Sequence, residues 1–177
     1  MSKFELYNIV LKDLPLGTST KEFTLDDGFF QKIDSPEVQK GDVYAVVVIH
    51  RKENSFELVF QLNGTILIPC NRCLDDMEQE ITHKESVLVK FGSKFLAEDE
   101  IVVVPESEGA INIAWFLYEF IILNIPIKHV HSSGMCNKTM MSKLKKHIVR
   151  NKDEGSDDDD SDLDLDDDDD FAEEETN

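Results

Sequence analysis

Two cysteines three positions apart, Cys70 and Cys73, sit in the run PCNRCLDDM. The third and last cysteine, Cys136, closes HVHSSGMC, five residues after His131. C-x2-C and H-x4-C are two close pairs of sulfur and nitrogen ligands. Each pair can sit on a tight turn and face one ion, and tetrahedral zinc is the usual product of such a set. His129 is near enough in sequence to take the place of His131. Two other readings of the thiols stay open. A C-x2-C can be a redox dithiol, although that motif normally stands where a strand enters a helix. Here it follows a strand-rich stretch, and Asp75, Asp76 and Glu78 are expected to raise a neighbouring thiol's pKa. The cysteines can also be inert packing residues. The opening MSKFELYNIVLKDL has an apolar stretch too short and too charged for a secretion signal. That points to a cytoplasmic chain, where structural disulfides are rare.

The elements that must position these residues are mostly strands. Residues 43–50, VYAVVVIH, are a β-branched run, and residues 56–62, FELVFQL, alternate with period two. The polar connector RKENS between them predicts an antiparallel hairpin with one buried face. Asn63-Gly64 predicts a bend or bulge before a further strand, TILIPC. Residues 79–90 alternate again, so the C-x2-C turn joins two neighbouring strands. Residues 4–11 and 101–105 are further strand candidates. Residues 112–123, NIAWFLYEFIIL, read as a helix capped by Asn112 and ended by Pro126. It is apolar nearly all round, so it is expected to be buried or to dock a partner. Its one charge, Glu119, is expected to meet Arg72, because a buried carboxylate needs a partner; the alternative is that each faces solvent separately. Residues 140–150 read as a short amphipathic helix with an apolar stripe of Met140, Leu144 and Ile148. The expected fold is α+β: a mainly antiparallel β-sheet (meander or open barrel), one buried helix and a short C-terminal amphipathic helix, followed by a disordered acidic tail.

Charge divides the chain near Arg150. Residues 151–177 hold 16 of the 37 acidic residues and one of the 18 basic ones, so most of the net charge of −19 belongs to them. The expected organisation is a globular domain over 1–150 and a disordered tail over 151–177. Only Leu163, Leu165 and Phe171 offer the tail large apolar side chains, too little surface to offset the entropy of ordering. A polyanion of this kind can also imitate nucleic acid. Lys128, Lys138, Lys143, Lys145, Lys146 and Arg150 form a basic edge that reads either as the solvated side of a surface helix packed by its stripe or as a surface for phosphate contact. No run of about 18 apolar residues exists to span a membrane.

On these residues the chain resembles the YceD family of large ribosomal RNA accumulation proteins. GTILIPCNRCL, then INIAWFLYEFIILNIPIKHVH, then GMC follow that family's order, with Gly64, Cys70, Arg72, Cys73, Leu74, Glu119, Ile122 (or Ile121), Pro126, His131 and Cys136 on its pattern. The resemblance covers roughly residues 40–140. Asn112 stands where the family often has Asp, and H-x4-C stands where some members have a second cysteine pair. The resemblance implies a non-enzymatic role in synthesis, processing or stability of large-subunit (23S) ribosomal RNA. The partner implied is that RNA or its precursor, with ribosomal proteins a further candidate and no small-molecule substrate. The alternative is a protein-only adaptor that grips a basic ribosomal protein with the acidic tail. No Gly-rich phosphate loop, nucleophile elbow or carboxylate pair at helical spacing occurs in the body, so no enzyme activity is expected. His50 and His83 read as half-exposed strand histidines.

Overall fold

A computed structural model describes residues 4–98 and 101–147. The expected tail, Arg150 and Ile148 lie outside the described residues. In chain order the strands are β1 (Asn8–Val10), β2 (Gly17–Leu25), β3 (Lys40–Arg51), β4 (Phe56–Pro69), β5 (Asp76–Gly92), β6 (Leu96–Glu98), β7 (Ile101–Pro105) and β8 (Ala110–Asn112). The helices are α1 (Asp27–Ile33), α2 (Ala114–Leu123) and α3 (Lys138–His147). The large sheet has the order β2-β3-β4-β5-β7-β6, and β1 and β8 form a separate pair. The expectation of an α+β fold with a mainly antiparallel sheet holds. Strands β2 to β5 are an antiparallel meander and β6 pairs with β7 antiparallel, while β7 joins β5 in parallel as the one parallel pairing among the described strands. The sheet is open, with β2 and β6 at its edges.

Alternation decides which side of the sheet carries the core. Val43, Ala45, Val47 and Ile49 of β3 and Phe56, Leu58, Phe60 and Leu62 of β4 are buried on one face. Both α1 and α2 pack there, through Phe29 and Phe30 and through Leu117, Phe120 and Ile121. The rings of Phe60 and Phe120 meet edge to face at 5.1 Å. Burying one such ring contributes roughly 1.5–3 kcal/mol. The N-terminal segment is extended over β1 alone, with a 3-10 turn on either side, rather than from 4 to 11. It is held to the sheet by Arg51, whose guanidinium donates to the carbonyls of Leu14 and Lys12 and lies over the Phe56 ring.

Asn63-Gly64 makes neither a turn nor a bulge. Strand β4 runs through it in unbroken register with both neighbours, Gly64 opposite Val43 and Ile81. The glycine instead permits a close approach: a Cβ there would run into the Asp42 carbonyl oxygen and lie 2.6 Å from Val43 Cα. A lone glycine inside a strand has either meaning, and here it is the second. Helix α2 starts later than the pattern suggests. Ile113 is its N-cap, while Asn112 ends β8 and still serves the helix by accepting the Ala114 N–H at 3.1 Å. The helix ends at Leu123, before Pro126. It is buried on one side only, with Trp115, Glu119 and Leu123 exposed. Strand β2 and helix α1 carry no pattern strong enough to be read from the sequence. Among the described residues no helix is long and apolar enough to cross a membrane.

Candidate metal centre

The turn between β4 and β5 is a knuckle. It closes when the Cys70 N–H donates to the Asp75 carbonyl at 2.8 Å and the Leu74 N–H to the Cys70 carbonyl at 2.9 Å. The loop after α2 is pinned across it. The Asn71 N–H donates to the His129 carbonyl at 2.9 Å, and Asn71 Nδ2 to the Ile127 carbonyl at 3.1 Å. This cross-link brings together two ligand pairs that lie far apart in sequence.

The ligand atoms of Cys70, Cys73, His131 and Cys136 all lie within 4.8 Å of one another and could hold one metal ion. Cys70 Sγ stands 4.0 Å from Cys136 Sγ, and Cys73 Sγ 3.3 Å from His131 Nδ1. A tetrahedral ion with metal–sulfur bonds of about 2.3 Å sets its ligands about 3.8 Å apart, so the spacing fits. Cys70 and Cys73 are buried, while His131 and Cys136 are half-buried. His129 is not in the set. Its Nδ1 lies 2.8 Å from the Pro126 carbonyl.

The four candidate ligands are shifted in opposite directions, Cys70 and Cys73 toward the thiolate and His131 and Cys136 toward their protonated forms. Burial opposes ionisation of Cys70, but the N–H groups of Cys73, Arg72 and His131, with the His131 ring, outweigh it and hold the thiol at about 6. Cys73 is lowered, chiefly by the Asn137 N–H. His131 is raised, first by its hydrogen bond with Cys70. Cys136 is pushed up to about 11 by burial and by the two neighbouring thiols. Backbone N–H groups therefore govern the first two thiols, not the raising effect expected from Asp75, Asp76 and Glu78. A divalent cation would relieve the resistance of Cys136 to ionisation.

Arg72 and Glu119 do not pair. Among the described residues the ion pairs are Lys52–Glu57 and His83–Glu85, and Glu119 is exposed on α2. Its helix turns that position to solvent, so no partner is needed. Asn137 is the residue that sequence reasoning missed. Its N–H faces Cys73, its Nδ2 donates to Asp75 Oδ2 at 3.1 Å, and its Oδ1 accepts from the N–H groups of Thr139 and Met140 at 3.0 and 3.2 Å. It caps the start of α3, and an Asn directly before a helical pattern is the available signal. The lysines Lys138, Lys143, Lys145 and Lys146 on α3, and Lys128 in the loop before His131, are all exposed. The expected apolar stripe packs only weakly: Met140 is half-buried and Leu144 exposed.

Leu74 closes the knuckle with φ at +65°, although it is 65% exposed. The left-handed conformation costs a non-glycine residue roughly 1–2 kcal/mol. Leu74→Gly is expected to raise stability by up to about 1 kcal/mol, because the relief exceeds glycine's greater unfolded entropy. Urea unfolding checks this, and a loss of stability would show that the leucine side chain supports the knuckle.

A family model for the large ribosomal RNA subunit accumulation protein YceD matches residues 58–175. The match takes in most of β4, the knuckle, β5, α2, the ligand-bearing loop and α3, and continues through most of the acidic run. No curated protein and no solved structure matches the chain.

Proposed function

The chain belongs to the YceD family, and from that premise we propose that it is a non-enzymatic, cytoplasmic factor that contacts large-subunit ribosomal RNA through a lysine-bearing helix moored on a zinc knuckle. The supporting observation is the triple role of Asn137. One residue faces a metal ligand, ties the knuckle's Asp75 and caps the helix that presents Lys138, Lys143, Lys145 and Lys146. Zinc suits three sulfurs and one imidazole nitrogen in tetrahedral array. When bound it supplies rigidity, and the lysines supply phosphate contact.

The test is titration of labelled large-subunit ribosomal RNA at several salt concentrations. Each phosphate neutralised adds about 0.9 to the slope of log affinity against log salt on duplex. Charge reversal at Lys143, Lys145 and Lys146 is expected to weaken binding by about tenfold or more at low salt, on the order expected for three lost contacts, and to flatten the slope. If the intact protein has no measurable RNA affinity and the reversals change nothing, direct contact is wrong. The acidic run, gripping a basic ribosomal protein, then becomes the better reading.

A further inference from the structure

Helix α2 buries Leu117, Tyr118, Phe120 and Ile121 against the sheet, and its other side is bare. Trp115, Glu119 and Leu123 follow one another at four-residue spacing, so they share one ridge about 12 Å long. Trp115 is 58% exposed and Leu123 72%, and Glu119 between them is exposed too. The ridge is therefore apolar at both ends and acidic at its centre. Both flanks add acid. On one side the Tyr118 hydroxyl lies 3.4 Å from Glu37 Oε2, and the rings of Trp115 and Tyr118 meet edge to face. On the other side Phe120 lies against His83, whose Nε2 stands 3.9 Å from Glu85 Oε2. Among the described residues no lysine or arginine pairs with Glu37, Glu85 or Glu119. The lysines next in sequence, Lys40 and Lys84, project from the opposite face of the sheet, because alternation sets them out of phase with buried Val43 and Ile81.

We propose that this ridge docks a helix of a partner protein whose apolar stripe carries an arginine or lysine. The proposal goes beyond RNA contact and does not rest on it. Charge selects the occupant. RNA or an anionic membrane would meet three carboxylates. A second copy would meet itself: a two-fold antiparallel pairing that sets Trp115 against Leu123 also sets Glu119 against Glu119, like charge on like charge. A basic amphipathic helix answers every part of the ridge. Its apolar side chains cover Trp115 and Leu123, in the manner of helices that dock by residues one turn apart. Its cation pairs with Glu119, one turn from an indole face that also attracts cations. Tryptophan anchors of this kind carry much of the energy of protein interfaces.

Trp115 is the chain's one tryptophan, so its emission reads the ridge directly. The probe is a helical peptide without aromatic residues, with a leucine stripe interrupted by arginine; its control carries glutamate in place of arginine. Both are titrated into the full chain and into Glu119→Lys, with circular dichroism to confirm that the variant is folded. The expected result is a blue shift of Trp115 emission with the arginine peptide and none with the glutamate peptide. Glu119→Lys should lose about tenfold or more in affinity for the arginine peptide and gain the glutamate peptide, because like charges brought together at an interface are disfavoured. The acidic run beyond residue 150 also attracts arginine, but it holds no tryptophan and is unchanged in the variant. Unmoved emission at millimolar peptide, or equal affinity of the intact chain and Glu119→Lys, would overturn the proposal. So would emission that shifts with protein concentration alone, which would make a second copy the occupant. Protection of Trp115 from acrylamide by ribosomal RNA would make RNA the occupant and overturn it as well.

Discussion

Cys73→Ser is expected to abolish stoichiometric metal binding and to release α3 from the body. A tetrahedral site built from these four residues would hold about one ion per chain in the intact protein. Serine cannot supply the thiolate, and three remaining ligands hold an ion far less tightly. The consequence reaches α3 because its capping residue, Asn137, faces Cys73, and because the helix buries little of its own surface. Metal binding of this kind is coupled to folding, and apparent values in small zinc peptides are about 10–16 kcal/mol. Here the meander has a separate core, so the loss should fall on the knuckle and helix while the sheet persists. Elemental analysis, the helical circular dichroism signal and amide exchange across residues 137–147 measure it. His129→Ala is the control and should retain the ion, because that ring faces the Pro126 carbonyl. A metal-free intact protein, or unchanged metal in Cys73→Ser, would remove the basis for the site.

Gly64→Ala is expected to destabilise the sheet by about 3 kcal/mol or more, at or beyond the usual range for overpacking. The added Cβ meets backbone on β3, the Asp42 carbonyl and Val43 Cα, and neither can rotate away as a flexible side chain would. Relief requires β3 and β4 to separate where Gly64 lies between buried Val43 and Ile81. Asn63→Ala, one residue earlier and exposed, is the comparison and should change stability by about 0.5 kcal/mol or less. Chemical unfolding of the two variants side by side decides the matter. Equal, small effects would show that the strands move apart freely.

The legibility of the chain follows the range of the interactions involved. Strands β3 to β5 are readable because alternation is local: a strand that buries one face writes a period of two into its own residues. Strand β2 is not readable, because it is an edge strand whose pattern GTSTKEFTL buries only Leu25 fully. Helix α1 is too short to show a period, and Gly64 can mean a bend or a close approach until its neighbours are known. The ligand types and their pairing are visible from the spacing of Cys70, Cys73, His131 and Cys136.

By itself the sequence determined the meander, the chemistry of the thiol and imidazole ligands, and the placement of most of the charge beyond residue 150. Tertiary structure decided the choice of His131 over His129, the exposure of Glu119, the parallel addition of β7 and the mooring of α3 by Asn137. Each of these depends on which distant segment lies alongside. The Asn71 hydrogen bonds to the carbonyls of His129 and Ile127 set the ligand loop against the knuckle, and contacts of that range leave no periodic trace in either segment.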